Sequence, residues 1–212
     1  MNDIETCLVA NDYEQLEIIL KHRLLANKNV DTLFEYALVR LLFPFVDDDS
    51  AIYYLNEILK LEKNNFEALI IKLYLQNYYC GMDSDYDVLV SRDWNDNRKY
   101  AICDYITSWK FYDDENLKRK YLESSIEKCP DFVFTYRRLG HIYMKNGMFK
   151  EANKCFKSAK KNVVTNEFSL YFPIDKVSYI EEHILGIRIT EEVERFIDKD
   201  IELSNFELNK ND

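Results

Sequence analysis

Apolar residues recur along this chain at three- and four-residue intervals, with polar residues filling the steps between them. That spacing gathers the apolar positions on one face of an α-helix. Residues 3–11 predict a short first helix. Asp12 is placed to cap a second, with Gln15 at the capping-box position and Tyr13, Leu16, Ile19, Leu20 and Leu24 as its apolar face. Asn27-Lys28-Asn29 ends it. Further faces follow at Phe34, Ala37, Leu38 and Leu41, and, after Pro44 and the acidic run Asp47–Asp49, at Ala51, Leu55 and Ile58. Ala68, Ile71 and Leu75 form another. Ile102, Tyr105, Ile106 and Trp109 come next, with Leu117, Leu122 and Ser125 on the helix after.

Two stretches break the pattern. Cys80 to Arg98 is rich in Asp and Asn, with a short apolar core at Val88-Leu89-Val90, and predicts a short or distorted helix flanked by loops. Beyond Asn162, Phe168–Asp175 is interrupted by Pro173, and a helix from Lys176 to Leu185 stops at Gly186. Thr190 is placed to cap a last helix carrying Val193, Phe196, Ile197 and Ile201, with Glu191 and Glu192 in its first turn. Residues Asn205 to Asp212 are expected to fray.

The most informative stretch runs from Pro130 to Asn162. Tyr136, Leu139, Gly140 and Tyr143 form an aromatic-x2-Leu-Gly-x2-Tyr run, and Ala152, Phe156 and Ala159 follow at helical intervals. Asn146-Gly147 marks a turn between two helices. This unit resembles a tetratricopeptide repeat (TPR), a helix-turn-helix of 34 residues. Stepping back by that period from Tyr136 meets Ile102, Ala68 and Phe34, all apolar. The resemblance implies an all-α, TPR-like superhelix forming one domain over 1–212. It would comprise an N-terminal helix pair at 3–29, degenerate repeats at 31–63, 65–98 and 99–129, the clear repeat at 130–163, and C-terminal capping helices at 164–212.

The resemblance also implies a surface. In this family the first helix of each pair lines a groove, which puts Phe134, Arg137, Arg138, His141 and Met144 there or at its rim. Family members that clamp acidic C-terminal peptides use Lys and Asn at set positions of several units. Arg137 and Arg138 imitate one element, but Glu35 and Val39 stand at the equivalent positions near Phe34, so a full clamp is not expected. The alternative for the two arginines is ion pairing with neighbouring acids.

Charge narrows the partner. The 212 residues carry 38 acidic and 28 basic side chains, a net charge of −10. That disfavours nucleic acid, which requires a basic face, and points to a basic protein partner. Asp83, Asp85 and Asp87 alternate, but Val88 and Trp94 stand where an EF-hand needs Gly and Glu. These acids are either a solvated loop or a lure for a basic partner. Together with Tyr86 and Trp94, in a middle region dense in aromatics, and with Arg137, Arg138 and His141, they form the candidate partner-binding set.

No catalytic, metal or cofactor motif accompanies them. His22, His141 and His183 lack ligand spacing, and the four glycines form no phosphate loop. Cys7, Cys80, Cys103, Cys129 and Cys155 are scattered without a CxxC and read as free thiols of a reducing compartment. The N-terminus has no signal pattern, and no apolar run reaches the roughly 18 residues of a membrane span, so a cytoplasmic protein without membrane contact is expected.

The resulting expectation is a non-enzymatic protein-binding repeat protein. One version is an acidic inhibitor, like an immunity protein, that neutralises a basic nuclease-like toxin. The alternative is an adaptor or co-chaperone that grips peptide segments in its groove. A third, an enzyme with a spatially assembled site, would require Cys103, Cys155 or His141.

Overall fold

A computed structural model describes residues 3–41, 47–79, 85–111, 113–165 and 189–210. Every regular element among them is helical. The described residues fall into two compact units, one within Met1–Tyr79 and one from residue 85 onward.

The first unit contains α1 (Asp3–Ala10), α2 (Tyr13–Ala26), α3 (Val30–Arg40), α4 (Asp48–Leu61) and α5 (Phe66–Tyr79). Each helix packs on the next along the chain. The predicted faces are buried here: Leu16 and Leu20 on α2, Phe34, Ala37 and Leu38 on α3, Ala51, Leu55 and Ile58 on α4, and Ala68, Ile71 and Leu75 on α5. Arg23 pairs with Glu35 at 3.2 Å and Arg40 with Glu17 at 2.8 Å, tying α2 to α3.

Polar residues set the boundaries. The Asp12, Asp47 and Asp114 carboxylates each accept a backbone N–H three residues on, and Asp96 accepts one from Arg98. Asn29 and Thr32 close a full capping box, and Asn65 caps α5 through the Ala68 N–H. An N-cap side chain stabilises a helix by about 1 kcal/mol. Part of the acidic surplus is therefore structural: four of the aspartates start helices.

The second unit contains α6 (Asp85–Val90), α7 (Asn97–Thr107) with a 3-10 turn at Ser108–Lys110, α8 (Glu115–Lys128), α9 (Val133–Lys145), α10 (Phe149–Thr165) and α11 (Ile189–Lys210). The helix expected between Cys80 and Arg98 is α6, only six residues long. Its apolar core is smaller than expected: Leu89 is buried and Val90 is exposed, because a single turn and a half turns one side chain inward. Leu117 on α8 is likewise more exposed than its periodicity implies, while Leu122 and Ser125 are fully buried.

The α9–α10 hairpin is the clear repeat. Gly147 has φ +70° at the turn, where glycine carries no Cβ penalty. Asn146 stays right-handed at φ −90° and caps α9 instead, its side-chain amide donating to the Ile142 carbonyl and to Glu115. Ala152, Phe156, Ala159 and Val163 bury one row of α10, and the Phe156 ring fills the space left by Gly140.

The last helix corrects two expectations. It begins at Ile189, so Thr190 lies inside it and is not the N-cap. It continues through Lys210, where Asn205 to Asp212 were expected to fray. The reason is docking along α10. Val193 and Ile197 pack with Val133, Ala159 and Val163, and farther along Asn153 donates to Ser204 Oγ at 2.7 Å and to Asn205 Oδ1 at 2.9 Å. The Pro44 turn, the break at Pro173, the helix expected at Lys176–Leu185, and Cys80 and His183 lie outside the described residues.

Candidate protein-interaction surface

Three predicted site residues sit on α9, and they divide between two places. Arg137 Nε donates to Asp200 Oδ2 on α11 at 2.7 Å, and His141 Nε2 lies 3.4 Å from the same oxygen. Burial by itself would raise the Asp200 pKa. Hydrogen bonds from His141 and Arg137 outweigh it and hold the carboxyl below its usual range. The His141 ring also meets the Phe156 ring edge-on at 5.2 Å. Arg138, one residue on, points elsewhere: its guanidinium covers Trp109 at 5.0 Å and Tyr105 at 5.8 Å. Arg137 is thus ion-paired, the alternative to groove exposure, and Arg138 stacks on aromatic rings. Phe134 is half-buried against the Val133–Ile197 cluster.

Beside the Arg137–Asp200 contact α11 exposes an apolar row. Phe196, Leu203 and Phe206 are 39%, 53% and 57% exposed, and their i, i+7, i+10 spacing puts them on one side of the helix. Cations and acids share its border, and Lys210 pairs with Glu207 at 3.1 Å. The guanidinium groups of Arg137 and Arg195 lie 5.5 and 5.7 Å from the Phe196 ring, and Lys210 Nζ lies 4.2 Å from the Phe206 ring. Lys199 falls between them on the same side of the helix.

Trp94 lies in a separate cluster. Its indole N–H donates to the Leu89 carbonyl at 3.0 Å, and its backbone N–H donates to Tyr100 Oη at 3.2 Å. Tyr100 in turn donates to Asp93 at 2.6 Å, which lowers the Asp93 pKa. These bonds fasten α6 to the start of α7. Asp85, Tyr86 and Asp87 form the first turn of α6, and Asp83 lies outside the described residues.

No family model and no curated protein matches the chain. Solved structures do. A crystal structure of MamA aligns at a TM-score of 0.58 with 21% identity, covering 78% of this chain and 96% of that one. MamA 41-end from Desulfovibrio magneticus RS-1 aligns at 0.55 with 17% identity, covering 77% and 93%. The fold is a TPR-like helical-repeat solenoid.

Sequence reasoning named Arg137 and His141 but not Asp200, which both of them meet, nor the exposed row of Phe196, Leu203 and Phe206 beside it. The signal was present: Phe196, Leu203 and Phe206 keep helical spacing, on a side of α11 apart from Val193 and Ile197. Among the described residues no helix is long and apolar enough to cross a membrane.

Proposed function

We propose that this protein is a TPR-like adaptor that holds a segment of another protein against the α9–α11 face. The observation that carries the reading is the exposed row Phe196, Leu203 and Phe206 beside Arg137, Arg195, Lys199 and Lys210. Large apolar side chains in the open, rimmed by charge, are characteristic of interaction sites. The favoured guest presents apolar anchors with Asp or Glu beside them, since acids complement the arginines and lysines there.

The acidic-inhibitor version, with a basic toxin as partner, rests on the net charge of −10, the size of the chain and the lack of a catalytic motif. Four aspartates are used as helix caps, and Arg195 and Lys199 stand beside the exposed apolar row with Arg137 and Lys210. Both observations favour the adaptor. The non-enzymatic reading has support in the thiols. Burial pushes Cys103 up to about 12 and Cys155 up to about 11, the reverse of what an activated nucleophile requires.

Selection of displayed random peptides on the full chain tests the proposal. The expected winners combine apolar anchors with acidic neighbours, and lose binding to Leu203→Asp and Phe206→Asp variants of unchanged helicity. Enrichment of basic peptides, or binding that survives both substitutions, would overturn the adaptor reading.

A further inference from the structure

The outward side of α10 carries a row that the adaptor reading does not use. Lys150, Lys154, Lys157 and Lys161 are spaced i, i+4, i+7, i+11 and all are exposed. The buried row Ala152, Phe156, Ala159 and Val163 has the same spacing, displaced by two residues, or about 200° around the helix. The lysines therefore occupy the pole opposite the core, in single file over about 16 Å. Together with Asn153 and Ser158 they line an open depression.

The charge is concentrated here against the trend of the chain. The α10 segment FKEANKCFKSAKKNVVT holds five lysines and one glutamate, a local charge of +4 in a chain of −10, which leaves −14 for everything else. Many cations elsewhere find acids: Arg23 with Glu35, Arg40 with Glu17, Lys128 with Asp104, Arg137 with Asp200. Even Lys160, on the flank of the same helix, pairs with Asp198. Among the described residues Lys150, Lys154 and Lys157 have no such partner. The arrangement also works against the helix itself. Like charges one turn apart repel, and Lys150 sits in the first turn, where the helix dipole disfavours a cation.

We propose that this row is a second docking surface, taking an acidic segment of a partner protein whose carboxylates repeat at helical-turn spacing. Charge complementarity selects the class of partner. Between Lys150 and Lys161 the pole holds no apolar side chain to enter a lipid layer, and its cations are all lysines, without the arginine forks that grip phosphate in two places. A chain of −10 repels extended polyanions at long range, whereas a short acidic segment is felt within a Debye length of the row. The surface stands apart from the Phe196–Phe206 row, so the chain would hold two different segments at once.

The test is fluorescence anisotropy of a labelled helical peptide with Glu at i, i+4, i+7 and i+11, titrated with the full chain. Binding should weaken at least about tenfold in a Lys150→Glu/Lys154→Glu/Lys157→Glu variant, less in the matching Gln variant, and not at all in Lys120→Glu. Affinity should fall with rising salt, and a peptide carrying Lys in place of Glu should bind the charge-reversed variant. Circular dichroism establishes that each variant folds, and the Gln variant carries the test if the Glu variant does not. Equal binding by wild type and variants, or no binding to wild type, would overturn the proposal. So would tighter lysine-dependent binding of phosphatidylserine vesicles or of a single-stranded oligonucleotide. None of these outcomes bears on the α9–α11 face, whose variants lie on another helix.

Discussion

A Cβ placed on Gly140 would stand 2.4 Å from Cε1 of Phe156, closer than two carbons can approach. The ring is fully buried on α10, so it cannot swing into solvent to make room. The first helix of the hairpin gives up a side chain so that the second can place an aromatic ring against its backbone. Overpacking a filled core costs about 1–3 kcal/mol. Alanine as the better helix former offsets roughly 1 kcal/mol of that. Gly140→Ala is therefore expected to lower the urea midpoint at unchanged slope. In a Phe156→Leu background, with the ring removed, the same substitution should be neutral or stabilising.

A second expectation concerns Ser125. Its hydroxyl donates to the Ala101 carbonyl at 2.8 Å and lies 3.1 Å from the Thr135 hydroxyl, so one buried group links α7, α8 and α9. Both side chains are fully buried. Ser125→Ala removes both contacts and leaves the buried Thr135 hydroxyl without this partner, which should cost about 1–3 kcal/mol by denaturant unfolding. A double-mutant cycle with Thr135→Val should give a non-zero coupling, because removing both hydroxyls leaves fewer stranded groups than the single changes predict.

Acid should loosen the α9–α11 contact. The Asp200 pKa is lowered in the folded protein, so its contribution is present above the unfolded value of about 3.9 and disappears as pH falls through the folded one. Asp200→Asn should melt below wild type at neutral pH, and the difference should close in acid, below about pH 4. A gap in thermal midpoint that persists unchanged into strong acid would contradict this role for the carboxylate.

Burial holds the thiols of Cys103 and Cys129 up at about 12, and Asp131, which accepts from Cys129, adds to the second shift. Near pH 8 both remain protonated. Alkylation by iodoacetamide, followed residue by residue by mass spectrometry, should be at least about tenfold slower at these two positions in native protein than in urea.

What the sequence made legible was what lies within one or two turns. Ala51, Leu55 and Ile58 share a face because 3.6 residues make a turn, and all three are buried. Asp12 caps α2 from the residue next to its first turn. The same local logic failed where a distant partner decides. Thr190 looked like a cap, but docking on α10 carries the helix across it. The acid that engages Arg137 lies 63 residues away, and nothing local singles out Asp200 from its neighbours. The lysine row was visible at helical spacing, yet a chain-wide charge of −10 averages it away.

Asn153 has one further consequence. It is a buried amide in an otherwise greasy seam, satisfied only when Ser204 and Asn205 arrive opposite it. An amphipathic helix of 22 residues offers a neighbouring helix several seatings that differ by one turn, and oily contacts distinguish poorly among them. The amide acts as a detent: a slip of about 5.4 Å leaves it with nothing to hold. A chain shortened to end before Ser204 would keep its grease and its Arg137–Asp200 and Lys160–Asp198 pairs but lose the buried detent, so the Phe196–Leu203 edge would be held less firmly beside Arg137.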